Sequence, residues 1–439
     1  MTKQIVEQDT KALEKLSLHE IVGFLYNAGQ SWKSKEYTRR KMYIRALVSH
    51  LGFSEKMAEL EANWISMLLS SHAVTYDIVT TELGSRHILD KWVLREEAEV
   101  RAYPKGLSLH TLAGNVPLSG VGSIVRALIT KNSVVVKSSS GDPFTPLFLA
   151  QSFQDIEANH PVTQAMSVIN WAGGQEGALE DQIARAADVI CAWGGRDAMR
   201  WAARYASEKT DVVKFGPKRS LAVVTQGSDL KAAARCLAHD VSYYDQRACF
   251  SVQQVFTDVD LGEFIPHLVE AMNVYKQVLP KGFHDFDEKA ARTLAVSEAL
   301  FMGMPFYHDP EGSWAFAVCS PEFVGLHPLG RTLFIHPIKS VDEVAQYVDG
   351  DVQTVAVMPF HAVEGLRDRM ASKGVSRFVE LGMNNIFRAG TAHDGIFPLQ
   401  HLVRLSSTEQ PSALYTKTMT IRIDQTSFLE NDRFVEFVP

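Results

Sequence analysis

Residues 109–146 read LHTLAGNVPLSGVGSIVRALITKNSVVVKSSSGDPFTP, and within them lies one repeat of an alternating α/β chain. A proline-containing turn at Pro117 leads into a helical stretch, and the β-branched run SVVVK at 133–137 reads as a buried strand. The same pattern returns in MSVINWAGG (166–174), DVICAWGG (188–195) and SLAVVTQG (220–227), each ending in glycine and separated by amphipathic stretches. Such runs predict a parallel, doubly wound sheet with crevices along its carboxyl edge. A second set follows in ACFSVQQVF (248–256), RTLFIHPI (331–338) and QTVAVMPF (353–360), with helical stretches such as VDEVAQYV (341–348) between them. Two α/β lobes are the expected result.

Upstream, apolar residues fall at helical spacing from Lys11 to Leu83, as in Leu18, Ile21, Val22 and Leu25, which marks a helical lead-in. From Trp92 to Leu112 the pattern becomes alternation, with Leu94, Ala98, Val100 and Ala102 against Arg95, Glu97, Glu99 and Arg101, and exposed strands are expected there. Downstream of Pro411, LYTKTMTIRID (414–424) also alternates like an exposed strand. Such an edge pairs either with the 92–112 region or with another subunit, a hint of homo-oligomerisation, with an ordinary edge hairpin of a monomer as the lesser alternative.

Composition narrows the partners. The 439 residues are 46% hydrophobic and 22% charged, an ordinary globular balance with material for two cores. A net charge of −7 with scattered Lys and Arg offers no basic face, so nucleic acid is not an expected partner. The start, MTKQIVEQDTKALEKL, has no continuous apolar segment, and no stretch reaches the ~18 apolar residues of a membrane span. Cys191, Cys236, Cys249 and Cys319 show neither CxxC spacing nor scaffold density, which fits a reducing cytoplasm and no metal site.

Among these cysteines, Cys191 falls in a strand run, Cys236 on the apolar face of a helix and Cys319 in the buried-looking FAVCSP. Cys249 differs. It follows the helical run DLKAAARCLAHDV, sits in YYDQRACFSVQQVF just before a strand, and has Arg247 two residues upstream to favour a thiolate. On local features alone it reads equally as a structural cysteine or as a nucleophile. Asn115, after Gly114 and before the turn into a helix, is either a helix cap or a fixed amide donor; facing Cys249, it would complete an oxyanion hole. Lys137 with Ser138, Ser139 and Ser140 suits ribose hydroxyls or a phosphate at a sheet edge, but also an ordinary solvated turn. Gly194 and Gly195, between strand and helix, would let phosphate oxygens approach helix N–H groups, or simply make a turn; GxGxxG is absent.

In their order, Asn115 before a helix, a strand ending in Lys137, the Gly194–Gly195 turn and then Cys249, these elements resemble the aldehyde dehydrogenase superfamily. Over about Trp92 to His401, DQRACFSVQQVF and TAHDGIFPLQHLVR, with His393 and Asp394, resemble specifically the LuxC-type acyl-CoA reductases of the bacterial bioluminescence fatty acid reductase system. Two positions depart from the superfamily: VKFGPK places Lys214 where hydrolytic members have a water-activating glutamate, and LHPLGR places His327 where others contact ribose through glutamate. The missing carboxylate argues against water as acyl acceptor.

The resemblance implies an aldehyde dehydrogenase-like α/β fold of two doubly wound lobes with an oligomerisation β-arm. It divides the chain into 1–225, a helical lead-in and dinucleotide-binding domain completed by about 400–439, and 226–400, carrying the catalytic thiol. It also implies reduction of a fatty acyl thioester, from acyl-CoA or an acyl-carrying partner protein, to the aldehyde through acyl-Cys249, with Asn115 on the oxyanion. NADPH, or alternatively NADH, would bind at Lys137, Ser139, Gly194 and Gly195, and an acyl-protein synthetase is the expected partner. A short-chain CoA-acylating aldehyde dehydrogenase and a non-catalytic acyl carrier or scaffold are the alternatives.

Overall fold

The computed structural model describes residues 10–95, 98–171, 177–283, 286–323, 327–388 and 390–409, and the LYTKTMTIRID segment lies outside them. Five helices open the chain: α1 (Thr10–Glu14), α2 (Leu18–Lys33), α3 (Thr38–His50), α4 (Glu55–Ser70) and α5 (His72–Leu83). Ser17 and Glu20 close a capping box at the start of α2, and Leu18, Ile21, Val22 and Leu25 are buried, as their spacing requires. This lead-in covers one face of the first lobe. Trp32 Nε1 donates to Ser152 Oγ at 3.0 Å, and the Glu61 carboxylate accepts the Leu118 N–H at 2.6 Å.

The first lobe is a five-stranded, wholly parallel sheet in the order β5–β4–β3–β6–β7. Its strands are β3 (Leu107–Thr111), β4 (Ser133–Lys137), β5 (Met166–Ile169), β6 (Val189–Trp193) and β7 (Asp211–Phe215). The helices α6 (Pro117–Ile129), α7 (Thr145–Glu157), α8 (Pro161–Gln164), α9 (Ala178–Ala186) and α10 (Arg196–Ala203) connect them. The second sheet has seven strands, β10–β11–β12–β9–β8–β13–β14, parallel except for β10 against β11. These are β8 (Arg219–Val224), β9 (Val252–Thr257), β10 (Phe306–His308), β11 (Ala315–Val318), β12 (Thr332–Pro337), β13 (Val352–Met358) and β14 (Arg377–Glu380). With them run α11 (Leu230–Ser242), α12 (Leu261–Val278), α13 (Phe286–Phe301) and α14 (Arg367–Ala371), whereas α15 (Pro398–Leu402) returns to the first lobe, where the Leu399 N–H donates to Glu82 at 2.6 Å. A third sheet joins β1 (Val93–Arg95), β2 (Ala98–Pro104) and β15 (Val403–Glu409), all antiparallel, with Val403 opposite Pro104 and Glu409 opposite Ala98.

Three expectations change. SLAVVTQG forms β8 of the second sheet, between β9 and β13, because periodicity marks a buried strand but not its partner. VDEVAQYV makes a 3₁₀ turn over Val341–Gln346 instead of an α-helix. The exposed-strand reading also runs too far: β1 and β2 are half-exposed, but Leu107–Thr111 is the buried central strand of the first sheet. Two of its polar atoms pair internally, Ser108 Oγ donating to Ser133 O at 2.9 Å and His110 Nδ1 meeting Ser123 Oγ at 2.7 Å.

His110 is fully buried, and burial pushes its pKa down to about 3. The folded state therefore keeps it neutral while the unfolded chain takes up a proton below about pH 6.5. Its contribution to stability is present above that pH and is lost as pH falls from about 6.5 towards 3. His110→Asn is expected to show a shallower loss of urea midpoint between about pH 6.5 and pH 4 than the parent, measured by tryptophan fluorescence.

Candidate active site

Cys249 lies in the loop between α11 and β9, and an unusual backbone leads to it. Tyr244, Asp245 and Gln246 have φ of 51°, 50° and 64°, three consecutive non-glycine residues in the left-handed region. Each such residue costs ~1–2 kcal/mol, so the loop must be held by its surroundings. Gln246 does much of this: Nε2 donates to Val252 O at 2.8 Å and Thr332 O at 2.5 Å, while Oε1 accepts the Thr332 N–H at 2.7 Å. Asp245 accepts from Arg331 Nε at 2.6 Å and from the Gly282 N–H at 2.9 Å, and Tyr244 donates to Glu61.

Three side chains then fix the carbonyls around the cysteine. Asn115 Nδ2 donates to Arg247 O at 2.7 Å, Ser220 Oγ to Cys249 O at 2.7 Å and Asn384 Nδ2 to Phe250 O at 2.8 Å. The structure thus brings Asn115 against the cysteine loop across lobes. Its carboxamide is exposed and has a second N–H beyond the one given to Arg247 O.

The thiol itself is partly buried. Burial first, and then the Asp394 carboxylate, push it up to about 11, against hydrogen bonds from the Gln353 side chain and the Phe250 and Cys249 N–H groups. Arg247 does not play the expected part. Its guanidinium turns away, to Leu51 O at 2.7 Å and to Glu288 at 3.1 Å, and so lends the sulfur no positive charge. Cys191 and Cys319 are buried in β6 and just after β11, and Cys236 packs on α11 beside Gly382, as a core reading of each requires.

The other residues singled out in the sequence line the carboxyl edge of the first sheet. Strand order reverses between β3 and β6, so the loops after them diverge and leave a crevice. Asn115 follows β3, Lys137 ends β4 and Gly194 follows β6. Gly194 has φ 141°, which favours glycine, and a Cβ at Gly195 would meet nothing within 4 Å, so this side of the crevice is open. A Cβ at Gly114 would lie 2.7 Å from Ser139 Oγ, so glycine is what lets the Asn115 and Ser139 loops meet. Ser139 Oγ accepts the Gly141 N–H at 3.1 Å, whereas Ser138 is buried and bonded to Ile169 O. Lys137 is half-buried, and burial draws its pKa down against the opposing charge of Glu180.

Trp193 and Phe215 stack at 3.9 Å, with the His393 ring edge-on at 5.1 and 5.3 Å. Burial holds His393 neutral, its pKa down at about 4. This aromatic wall joins the ends of β6 and β7 to the loop carrying Asp394. The two departures from the superfamily pattern are also placed. Lys214 is exposed on β7, and His327 uses both ring nitrogens on backbone, Nε2 with Gln253 O at 3.0 Å and Nδ1 with the Leu329 N–H at 3.1 Å. His327 is therefore not available to a ribose. Among the described residues, no cluster of three or more His, Cys, Asp or Glu side chains could hold a metal ion. No helix among them is long and apolar enough to cross a membrane.

The profile of the family described as acyl-CoA reductase (LuxC) matches residues 13–405. The chain belongs to this family. The long-chain acyl-protein thioester reductase of Vibrio harveyi is 46% identical over 99% of this chain and 91% of its own. That of Aliivibrio fischeri is 47% identical over 97% and 89%. In architecture, the NADP-dependent glyceraldehyde-3-phosphate dehydrogenase of Bacillus halodurans C-125, complexed with NADP, superimposes with a TM-score of 0.72 at 15% identity, over 93% of this chain and 90% of that one. The aldehyde dehydrogenase-like fold implied by the sequence is thereby present, and this LuxC-family chain is an aldehyde-forming oxidoreductase.

Sequence reasoning passed over Gln353, Arg377, Asp240 and Asn384. All four are buried. Arg377 donates to Asn384 O at 2.7 Å and covers the Phe387 ring at 4.2 Å, while Asp240 accepts the Gly382 N–H at 2.7 Å. In the sequence Gln353 is one polar residue at the start of a strand run, and no local pattern separates it from an edge glutamine.

Proposed function

We propose that this chain reduces a long-chain fatty acyl thioester to the aldehyde through an acyl group held on Cys249. What supports the reading is the hydrogen bond from Asn115 to the carbonyl of Arg247, two residues before Cys249, which sets an amide donor beside the thiol loop at the mouth of the crevice. Its 46–47% identical relatives carry the name long-chain acyl-protein thioester reductase over nearly their whole length, which favours this reading over short-chain CoA acylation or a non-catalytic carrier.

The Cys249 sulfur attacks the acyl carbonyl, a new C–S bond forms, and the donor's C–S bond breaks. The donor leaves as a thiol, carrying the proton that Cys249 gave up. The free N–H of Asn115 is suited to the tetrahedral oxyanion, where one such donor is typically worth ~3 kcal/mol. When bound, a reduced nicotinamide supplies hydride to the thioester carbon, and the residues present fit such a group. Gly194 and Gly195 open the turn before α10, and half-buried Lys137 with Ser139 follows β4 on the same edge, one strand removed, suited to the 2′-phosphate of NADPH. Collapse of the thiohemiacetal then returns the electron pair to sulfur and releases aldehyde.

The acyl donor in this reading is an acyl-carrying partner protein or acyl-CoA, charged by a synthetase. The protein works in the cytoplasm as a homo-oligomer, for which β15, an edge of its sheet among the described residues, offers a pairing surface. Its thiol domain, expected from residue 226, reaches back to take in β8 (Arg219–Val224) of the second sheet. Incubation with a panel of acyl-CoAs without reductant, followed by mass spectrometry, is expected to show one acyl group on the Cys249 peptide, with long chains preferred. A label on any other residue, or none, overturns the reading. Equal or reversed turnover with NADH against NADPH overturns the cofactor preference alone.

A further inference from the structure

The second sheet departs from regular pairing at two places, both against Ser220: at Gln253 in β9 and at Gln353 in β13. Between β13 and β8, Val352 pairs with Arg219 and Thr354 with Ser220, so Gln353 is an extra residue inserted into β13. Bulges of this kind bend a strand and re-aim one side chain, and they recur beside active sites. Here the re-aimed side chain is only 1% exposed, and the bulge is tied to the cysteine loop: Thr354 donates its N–H to Ser220 Oγ at 3.3 Å, and Ser220 Oγ donates to Cys249 O at 2.7 Å, which sets the Gln353 carboxamide where it favours the thiolate. On its other side Nε2 donates to Asp394 Oδ1 at 2.5 Å. Asp394 occupies a further left-handed, non-glycine backbone position, φ 50°, beside the His393–Ile396 bridge. A buried bulge and a strained aspartate thus converge on one amide, and strain of this kind persists only where the surroundings enforce it.

We propose that the Gln353 carboxamide, oriented by Asp394, is a further catalytic group of this enzyme, holding negative charge on the Cys249 sulfur both before acylation and when the thiohemiacetal collapses. Asp394 is the positioning residue. This rests on Cys249 being the nucleophile. In both half-reactions the sulfur carries the electron pair of a C–S bond about to form or just broken, and it does so in a partly buried site. The guanidinium of Arg377, which feels the charge of the sulfur, already serves the carbonyls of Met383, Asn384 and Ile386. His393 is held neutral within its aromatic wall. An amide has no charge to neutralise, so it can donate to sulfur without forming a tight ion pair that would quench the nucleophile.

The proposal separates two effects that a purely structural role would not. Gln353 lowers the energy of the thiolate, whereas the Asp394 charge raises it while fixing the amide. The test is the pH dependence of iodoacetamide alkylation of Cys249, followed by peptide mass spectrometry on the full chain without acyl donor or cofactor, alongside single-turnover aldehyde formation. Gln353→Met is expected to move the alkylation midpoint up by about 1 pH unit or more and to slow single-turnover reduction by about tenfold or more. Asp394→Asn is expected to move the midpoint down, because the opposing charge is gone. A midpoint that stays or falls in Gln353→Met overturns the proposal. If that variant does not fold, Gln353→Asn, which keeps an amide but draws it back from the sulfur by one methylene, decides: an unchanged or lowered midpoint overturns the proposal. Because alkylation needs no substrate, these outcomes stand apart from failure of the parent to take an acyl group on Cys249, which would sink the nucleophile assignment itself.

Discussion

Cys249→Ser is expected to lose aldehyde formation by about 10⁴-fold or more while keeping its fold and its affinity for the reduced nicotinamide. A serine hydroxyl in the same loop keeps the hydrogen bonds from Asn115, Ser220 and Asn384, because all three are made to backbone carbonyls and none to the sulfur. What it loses is polarisability and acidity. The thiol already sits at about 11, pushed up by burial and by Asp394, and an alkoxide in that place would be several orders of magnitude rarer. An oxygen ester, should one form, would also accept hydride less readily than a thioester. The measurement is single-turnover aldehyde release with a fluorescence titration of cofactor on the same preparation. A variant that releases aldehyde at the parent's rate removes Cys249 from the chemistry. One that fails to bind cofactor has lost its fold and says nothing about sulfur.

How much of this was legible in the sequence depends on which residues carry it. β4, β6, β12 and β13 are mostly β-branched or apolar runs, so burial on both faces wrote them plainly into the chain, and β9 shows the same in Val255 and Phe256 after its two glutamines. β3 was misread because Ser108 and His110 alternate with apolar neighbours, and only the fold shows Ser108 Oγ and His110 Nδ1 finding partners inside. β7 escaped notice because Asp211 and Lys214 face outward from an edge strand. The site divides in the same way. Asn115, Lys137, Gly194, Gly195 and Cys249 stand at ends of elements, where residue type and position speak together. Gln353 and Asp394 act through a bulge and a left-handed turn, and neither leaves a mark at the level of residue type. Arg247 shows the opposite error: nearness in sequence promised a charge that its side chain carries elsewhere, to Leu51 and Glu288.

Asp245→Asn is expected to cost about 3–5 kcal/mol of stability and to disable the active site before the protein unfolds. Asp245 and Arg331 are 7% and 1% exposed, and the ion pair between them is 2.6 Å long. Removing one charge strands the other in a place that water does not reach, which is the costly way to alter a buried pair. The neighbourhood amplifies the loss, since Lys281, already drawn down to about 7 by burial and by Arg292 and Arg331, depends on Asp245 as an opposing charge. Asp245 is also the middle residue of the three left-handed positions before Cys249. Without its pair, the loop can relax toward ordinary backbone angles and carry the thiol away from Asn115. The melting temperature is therefore expected to fall by several degrees, on the order of 5 °C. At a temperature where the far-ultraviolet spectrum remains that of the parent, acyl transfer to Cys249 is expected to fall as well. The double variant Asp245→Asn/Arg331→Met, which removes both charges, is expected to regain much of the stability but little of the transfer rate, because no ion pair then holds the strained turn. If transfer returns together with stability, the pair is only a packing feature, and the left-handed turn is held by Gln246 alone.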